Sequence, residues 1–249
     1  MGRKVTERFL KKHFKVAPNG DCLDLVYGRG INHVTIRKDF LLDEEIATLA
    51  GLMPDGSLIK DLRRIYFHQK KDISKIHLFA DVIQRRFGIE NKIFIRQKDK
   101  HGTFDAYVNS VTLARFFYHV LGISKSNEEV RVPRWVFFGS KPVKITYLRS
   151  VFDMEATVLK SLREIRLITK DFKFARDLQK LLGGMGIVST VNTRIGGTHR
   201  TTQYRLSIYG KENFVEYKAI GFTIPFLSTR FDSLLRKYQI SGEYIPYTT

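Results

Sequence analysis

Hydrophobic and polar positions along this chain change from helical to strand periodicity in an order that occurs twice. In the first round, residues 72–87 place apolar side chains at i, i+3, i+4 and i+7, which predicts an amphipathic helix ended by Gly88. A second predicted helix begins near Asp43, where Glu44 and Glu45 favour a helix N-terminus. The other elements predicted in this round are a helix at 112–121 and strands within 57–70, 91–98 and 103–110.

The same order returns about one hundred residues later. Predicted helices cover 143–155, 172–182 and 212–220, and predicted strands lie within 157–170, 187–194 and 203–209. One pair of strand sequences shows an offset of one hundred residues: Arg64-Ile65 corresponds to Glu164-Ile165. A long period that occurs twice indicates two pseudo-symmetric halves and argues against a solenoid, which needs shorter and more numerous repeats. The pattern therefore predicts an α+β fold with two α-β-β-α-β-β-α halves.

The breaks in this pattern predict five segments. They are an N-terminal extension (1–40), a first half (41–123), a linker with two prolines (124–142), a second half (143–222) and a tail (223–249). Within the outer segments we expect a short basic helix in 5–14, a strand at 22–26 and a last helix near 231–238.

Charge narrows the possible partners. The 249 residues include 43 Lys and Arg against 25 Asp and Glu, a formal net charge of +18 that is spread along the chain. A folded protein this basic is expected to face a polyanion, most often nucleic acid. The single cysteine excludes a disulfide framework within the chain, and the histidines lack zinc-ligand spacing. Without an apolar leader or an 18-residue apolar run, we expect no membrane contact and a location inside the cell, in the cytoplasm or an organelle matrix.

Basic residues recur along the predicted strands. In the first half they are Lys60, Arg63, Arg64, Lys70, Lys71, Lys92, Arg96, Lys98 and Lys100, and in the second Lys160, Arg163, Arg166, Lys170, Arg194, Arg200 and Arg205. Alternate residues of a strand face one side of a sheet, so one face can pack on helices while the other presents cations. Such a face fits the phosphate backbone of DNA and can enter its major groove.

Two nine-residue stretches head the two halves. They are Thr48–Gly56 and Leu148–Ala156, and each is a short apolar helix that ends in a carboxylate beside a small residue. The carboxylates, Asp55 and Glu155, lie one hundred positions apart. With these two stretches, the order of elements after them and the basic strands, residues 41–222 resemble the LAGLIDADG homing endonucleases in their single-chain, two-motif form.

The resemblance implies a fold in which saddle-shaped antiparallel sheets bind DNA and the two motif helices pack through small residues. Ala50, Gly51 and Ser150 stand at those helix positions. It also implies a monomeric, Mg²⁺-dependent or Mn²⁺-dependent endonuclease that cuts a long, nearly palindromic double-stranded site in intron homing, with Ca²⁺ binding without supporting cleavage. Asp55 and Glu155 would be the metal ligands, and Gln69, Lys70 and Lys170 would assist catalysis by orienting water or offsetting charge.

The residues that the resemblance assigns to DNA contact lie on or beside the strands. They are Lys60, Arg63, Arg64, Tyr66, His68, Arg96, Lys98, Lys160, Arg163, Arg166, Arg194, Arg200 and Arg205. Asp153, two residues before Glu155, is expected to be solvated or to support the metal ligands from behind.

Other functions remain open at this point. Pro54, Ser150 and Ala156 depart from the family's pattern, and they favour a second hypothesis: a protein of the same fold that binds nucleic acid without cutting it. Such a protein would be an intron-splicing maturase, with intron RNA as its partner, or a DNA-binding regulator. A third hypothesis, a basic ribosome-associated protein, leaves the paired acidic motifs unexplained.

Overall fold

The computed structural model describes residues 2–28, 33–70, 72–89, 93–97, 103–196 and 201–240. These residues form two compact units that divide between Tyr147 and Leu148.

The first forty-two residues form two small antiparallel sheets and one helical turn. The elements are β1 (Arg3–Lys4), α1 (Glu7–Leu10), β2 (Lys15–Asn19), β3 (Cys22–Val26), β4 (Val34–Arg37) and β5 (Leu41–Leu42). Strands β2, β3 and β4 make one sheet, and β1 pairs with β5 in the other. The strand expected at Cys22–Val26 is confirmed, whereas α1 is only four residues long and so shorter than the helix expected in 5–14.

The first half follows directly. Its elements are α2 (Glu44–Leu52), a 3₁₀ turn (Met53–Asp55), β6 (Gly56–Leu58), β7 (Arg64–Gln69), α3 (Ser74–Phe87), β8 (Ile93–Gln97), β9 (Phe104–Asn109) and α4 (Val111–His119). Its four strands form an antiparallel sheet in the order β6-β7-β9-β8. The order α-β-β-α-β-β-α expected from the sequence is confirmed.

The second half has the same order. After the short helix α5 (Arg134–Phe137) come α6 (Lys141–Glu155), β10 (Ala156–Leu159), β11 (Glu164–Thr169), α7 (Phe172–Gly183), β12 (Ser189–Gly196), β13 (Thr201–Tyr209) and α8 (Lys211–Tyr217). Its strands form a sheet in the order β10-β11-β13-β12. A last helix, α9 (Pro225–Ile240), is longer than the tail helix expected near 231–238.

The two sheets share their register as well as their order. Gly56 pairs with Phe67 in the first sheet, and Ala156 pairs with Leu167 in the second. Arg64 likewise pairs with Asn109, and Glu164 with Tyr209. Because each of these pairs keeps the offset of one hundred, equivalent side chains point to equivalent faces of the two sheets.

Alternation along the second strand of each sheet decides which face meets the helices. In β7, Ile65, Phe67 and Gln69 are buried while the residues between them are half-exposed. In α3 the apolar stripe is buried as expected, and Gly88 ends the helix with a φ of +59°. The N-terminal sheets pack on the same core, since the Phe40 ring contacts the rings of Phe87 and Phe116.

The expected boundaries of the five segments remain a prediction. None of the helices in the described part of the chain is long and apolar enough to cross a membrane.

Candidate nucleic-acid interface

The first motif helix, α2, is held at its beginning by charged side chains. The Asp43 carboxylate caps it by accepting from the Ile46 amide at 3.2 Å. Arg86 of α3 donates to Asp43 Oδ2 at 2.7 Å and to Glu45 Oε2 at 3.1 Å. This ion-pair cluster ties the N-terminus of α2 to α3, while the small residues Ala50 and Gly51 are buried further along the helix.

The first candidate metal ligand, Asp55, lies just beyond this helix. Pro54 lacks an amide hydrogen and cannot continue the α-helical hydrogen bonds, and the chain tightens into the 3₁₀ turn Met53–Asp55. The half-buried Asp55 therefore ends a turn and immediately precedes β6.

The second motif helix reaches the equivalent point without a turn. Helix α6 continues to Glu155, which is half-buried, and β10 begins at the next residue, Ala156. Ser150 of this helix is buried.

Asp153 corrects an expectation. Its side chain is buried rather than solvated, at 1% exposure, and it accepts hydrogen bonds from the Thr223 amide at 2.9 Å and from the Thr223 hydroxyl. Asp153 and Glu155 are two positions apart and project from different sides of α6. Asp153 thus fastens the segment before α9 to the motif helix.

Position 56 and position 156 differ in why they hold a small residue. Gly56 has a φ of −107°, so backbone conformation does not require glycine there. Glycine is required there by lack of space, because a Cβ on Gly56 would lie 2.8 Å from the Tyr66 carbonyl oxygen and 2.8 Å from the Met53 Cε. Ala156 occupies the same register position with its methyl buried, so the second half accommodates the side chain that the first excludes.

The candidate catalytic residues after β7 and β11 lie at the same sheet end as the acids. Gly56 pairs with Phe67, so the antiparallel register carries Asp55 toward the Gln69 end of β7, and Glu155 toward the Thr169 end of β11. Lys70 and Lys170 are exposed immediately beyond these ends. Gln69 is 4% exposed on the helix-facing side, and its Oε1 accepts from the Lys70 amide at 2.8 Å.

The outer face of the first sheet is a stacked array of cations and aromatic rings. Arg64 donates to Asn109 Oδ1 and to the Tyr66 hydroxyl, and its guanidinium carbon lies 5.3 Å from the Tyr107 ring centroid. The Phe94 ring stacks on Tyr107 at 5.0 Å. Tyr66 also stacks on His68, at 5.8 Å between ring centroids. These contacts hold the side chains in place before any partner arrives.

One buried carboxylate lies under this array. Asp105 of β9 is 1% exposed, with Oδ1 2.5 Å from His68 Nδ1 and Oδ2 3.5 Å from an Arg96 amino nitrogen. Asp105 is the pairing partner of both residues: His68 faces it from β7 and Arg96 faces it from β8. Two of the expected DNA-contacting side chains are thus oriented by one acid.

The outer face of the second sheet also carries a buried acid. Glu164 is fully buried, and it accepts from Arg166 Nε at 3.0 Å and from the Ser207 hydroxyl at 2.6 Å. Burial acts to raise the pKa of Glu164, but the hydrogen bonds from Arg166, Ser207 and Tyr209 outweigh it and leave the pKa below its usual value. Arg166 is therefore already paired with an ionised carboxylate.

Two other cations of this face, unlike Arg166, are not paired with Glu164. Arg194 of β12 is exposed, and Arg205 of β13 lies on the same outward face because it pairs with Asn192. Arg205 Nε is buried and has no hydrogen-bond partner within the described part of the chain. An orphaned donor at a basic sheet surface is suited to a phosphate oxygen.

The remaining expected DNA contacts lie at the edges of the sheets or outside the described residues. Lys60, Arg63, Lys160 and Arg163 are exposed in the turns between the first two strands of each sheet. Arg63 pairs with Asp61 at 3.3 Å, and the Arg163 guanidinium lies 5.1 Å from the Tyr238 ring. Lys71, Lys92, Lys98, Lys100 and Arg200 lie outside the described residues.

No group of three or more His, Cys, Asp or Glu side chains in the described ranges could hold a metal ion. Each half instead offers one carboxylate, at the end of its motif helix. Carboxylate oxygen is the donor that Mg²⁺, Mn²⁺ and Ca²⁺ accept, so the chemistry of Asp55 and Glu155 suits such an ion, with further oxygens supplied by phosphate and water.

Comparison with known proteins matches a family model to the second half. The family model for the LAGLIDADG-like domain matches residues 142–220, which begin in α6 and end after α8. Residues 142–220 therefore form a LAGLIDADG-like domain.

Solved structures share this LAGLIDADG fold over both halves. I-DmoI in complex with DNA and Mn superposes with a TM-score of 0.52 at 18% identity, covering 71% of this chain and 96% of that one. The complex of I-DmoI with DNA and Ca gives 0.53 at 16% identity, with 76% and 97% covered. Full-length DUF199/WhiA from Thermatoga maritima gives 0.50 at 13% identity, with 83% and 62% covered. At these identities the similarity establishes the fold alone.

A curated relative is matched over a small part of its length. The probable translation initiation factor IF-2 of Methanocaldococcus jannaschii is 24% identical over 123 residues. The match covers 48% of this chain but only 11% of that relative.

The two buried acids and the rings of Phe94 and Tyr107 were not among the expected site residues. Asp105, Tyr107 and Asn109 stand at alternate positions of the expected strand 103–110, and this alternation could have indicated that they share one face of the sheet. What the period could not supply was the register that places Asp105 beside His68 and Arg96.

Proposed function

We propose that this LAGLIDADG protein is a site-specific endonuclease that hydrolyses phosphodiester bonds in double-stranded DNA with a divalent cation. The observation that carries the proposal is the equivalence of Asp55 and Glu155. Each directly precedes the first strand of its sheet, and the residue after each pairs with the same position of the neighbouring strand. A carboxylate repeated directly before the first strand of each sheet fits an equivalent metal-ligand role in the two halves better than two unrelated acids.

The two sheet faces supply the DNA-binding surface in this proposal. Arg64 on the first face and Arg205 on the second lie on strands with buried residues on the other side, and Arg96 and Arg194 lie on the exposed strands beside them. A β-sheet can enter the major groove and read base edges while neighbouring cations hold the phosphates. Because the halves are similar but their outer residues differ, we expect a long target that is nearly, but not fully, palindromic. The single chain carries both halves, so it is proposed to act as a monomer.

In the proposed chemistry, Asp55 and Glu155 would each be a ligand of Mg²⁺ or Mn²⁺, alongside phosphate oxygens. The bound metal would supply activation of water and stabilisation of the leaving oxygen. Lys70 and Lys170, exposed at the same sheet ends, would offset the charge of the scissile phosphates. Gln69 would keep the Lys70 backbone in place through its buried hydrogen bond. Ca²⁺ is expected to support binding without cleavage.

The test is selection of cleaved sequences from a randomised duplex library with Mg²⁺, followed by assay of single-residue variants on the selected site. Asp55→Asn and Glu155→Gln should each abolish cleavage while leaving binding in Ca²⁺ intact. Asp81→Asn on α3 and Glu216→Gln on α8 remove exposed carboxylates from the same two units and should cut at the parent rate. If the two motif variants cut as fast as the parent, the proposed chemistry is wrong.

A second candidate is a DNA-binding or intron RNA-binding protein of the same fold that has lost cleavage. Pro54 favours it, because the 3₁₀ turn places Asp55 beyond the motif helix whereas Glu155 is the last residue of its own helix. This candidate predicts salt-sensitive binding without strand breaks in Mg²⁺ or Mn²⁺. Recovery of cleavage in Pro54→Ala would show that the turn, and not the rest of the site, is responsible.

A further inference from the structure

A cleft of about 610 Å³ lies in the first unit, away from its four-stranded sheet. It is formed by β1, the residues leading into α1, β5, the C-terminal end of α4 and the segment 131–135 that enters α5. No strand of the β6-β7-β9-β8 sheet contributes a lining residue. The cleft is thus a surface separate from the proposed duplex-binding face, and its volume lies within the usual range of ligand pockets.

The rim of this cleft is cationic. Arg3, Lys4, Arg131 and Arg134 are exposed there, and none of the lining residues is an Asp or Glu. No ion pair to the Arg3 or Arg134 side chain occurs within the described ranges. Nearby acids are engaged elsewhere: Glu7 pairs with Lys11 at 2.7 Å. The rim therefore favours a ligand that carries several negative charges.

The walls of the cleft are apolar and aromatic. Trp135 is 5% exposed and donates from Nε1 to the Leu121 carbonyl oxygen at 2.9 Å, which fixes its ring. Phe9 is 37% exposed, an unusual exposure for a phenylalanine. His119, stacked on His13 at 4.4 Å, has its pKa lowered by burial and by the neighbouring His13, so its ring is neutral at physiological pH. A flat apolar group can stack against these rings.

We propose that this cleft binds unpaired nucleotides of single-stranded DNA, with phosphates at the arginines of the rim and a base against Phe9. A duplex keeps its bases stacked inside the helix, so only a single strand can place one in the cleft. DNA is favoured over RNA because the lining holds no carboxylate or amide side chain to accept from a 2′-hydroxyl. The Thr6 hydroxyl already accepts from the Phe9 amide. This site is additional to the proposed duplex endonuclease and stands without it.

The chain provides its own reporter for the cleft. Trp135 is its single tryptophan, so a change in tryptophan fluorescence reports events at this wall. We expect oligothymidylate to quench this fluorescence saturably, and excess duplex DNA to leave the quenching in place. Oligouridylate of equal length should bind more weakly.

Two variants test the two parts of the site. Phe9→Ala should weaken oligothymidylate binding about tenfold through one lost stacking contact. Arg3→Gln combined with Arg134→Gln should lower the slope of log K against log salt by about 1.4, or about 0.7 for each lost phosphate contact. As matched controls, Arg8→Gln with Lys12→Gln removes two exposed charges from and beside α1 without touching the cleft, and Phe226→Ala removes an exposed ring from α9. Both controls should bind like the parent protein.

Four results would overturn the proposal. They are strand binding by fluorescence anisotropy without tryptophan quenching, parent-like affinity in Phe9→Ala, displacement of the strand by tripolyphosphate as readily as by unlabelled strand, and oligouridylate binding as tightly as oligothymidylate. The first two would place the strand elsewhere, the third would reduce the cleft to an anion site, and the fourth would remove the assignment to DNA.

Discussion

His68 and Asp105 face each other across β7 and β9, with 2.5 Å between the histidine Nδ1 and the aspartate Oδ1. A carboxylate at Nδ1 accepts the hydrogen there and leaves Nε2 directed outward. The same Asp105 lies 3.5 Å from Arg96 on its other side. One buried acid therefore sets the direction of two side chains on the face proposed to read DNA.

Removing this acid should reduce specificity more than affinity. In Asp105→Asn the carboxylate no longer selects one His68 tautomer or attracts Arg96, while the face loses a negative charge. We expect the ratio of specific to non-specific DNA affinity to fall about tenfold, the size of one good base contact. Fluorescence anisotropy with the selected site and a scrambled duplex measures this ratio. Asp81→Asn is the control, and an unchanged ratio in Asp105→Asn would contradict the role given to the pair.

Glu164 should make the stability of the fold depend on pH. Its pKa is lower in the folded protein than its usual value of 4.5, so the ionised group stabilises the fold above that pH. This contribution is lost as the pH falls through the folded pKa. We expect Glu164→Gln to be less stable than the parent at pH 7, with the difference narrowing toward pH 3, in urea denaturation at a series of pH values. Parallel stability curves would show that folding does not shift the pKa of Glu164.

The same substitution should strengthen non-specific DNA binding. Glu164→Gln removes the negative charge that now pairs with Arg166, so that guanidinium becomes available to a phosphate. The slope of log K against log salt should steepen by about 0.9, the value for one added phosphate contact on duplex DNA. Glu216→Gln removes an exposed acid from α8 and serves as the control for net charge. Equal slopes in the two variants would mean that Arg166 does not reach the DNA.

Gly56 should tolerate no side chain. Because a Cβ there would lie 2.8 Å from the Tyr66 backbone oxygen, Gly56→Ala must push β6 away from β7, at a cost of about 1–3 kcal/mol in unfolding free energy. Gly183→Ala is the matched control, since its Cβ would meet nothing within 4 Å at the end of α7. Urea denaturation should show the control unchanged or slightly stabilised. Equal stability of the two variants would mean that β6 and β7 can separate without loss.

Local patterns were sufficient to predict the helices and strands of the two halves. The Asp43 cap, the apolar stripe of α3 and Gly88 are properties of neighbouring residues, and the hydrogen bonds and burial that they favour form within one helix. The hundred-residue offset also predicted the register of these strands, which is the same in both sheets: Gly56 pairs with Phe67, and Ala156 pairs with Leu167. The predicted boundaries of the five segments do not follow from such local patterns and remain a prediction.

The sequence by itself determined the order of helices and strands, the two halves and the positions of Asp55 and Glu155, because periodicity and offset are readable along the chain. Only the tertiary structure decided which acids lie beneath the basic faces, since Asp105 meets His68 and Arg96 through the pairing of three separate strands. It also decided that Gly56 is required for space, and that β1, α4 and the segment before α5 enclose a basic cleft. These features arise where distant segments pack together, and the distances between side chains there depend on the fold as a whole.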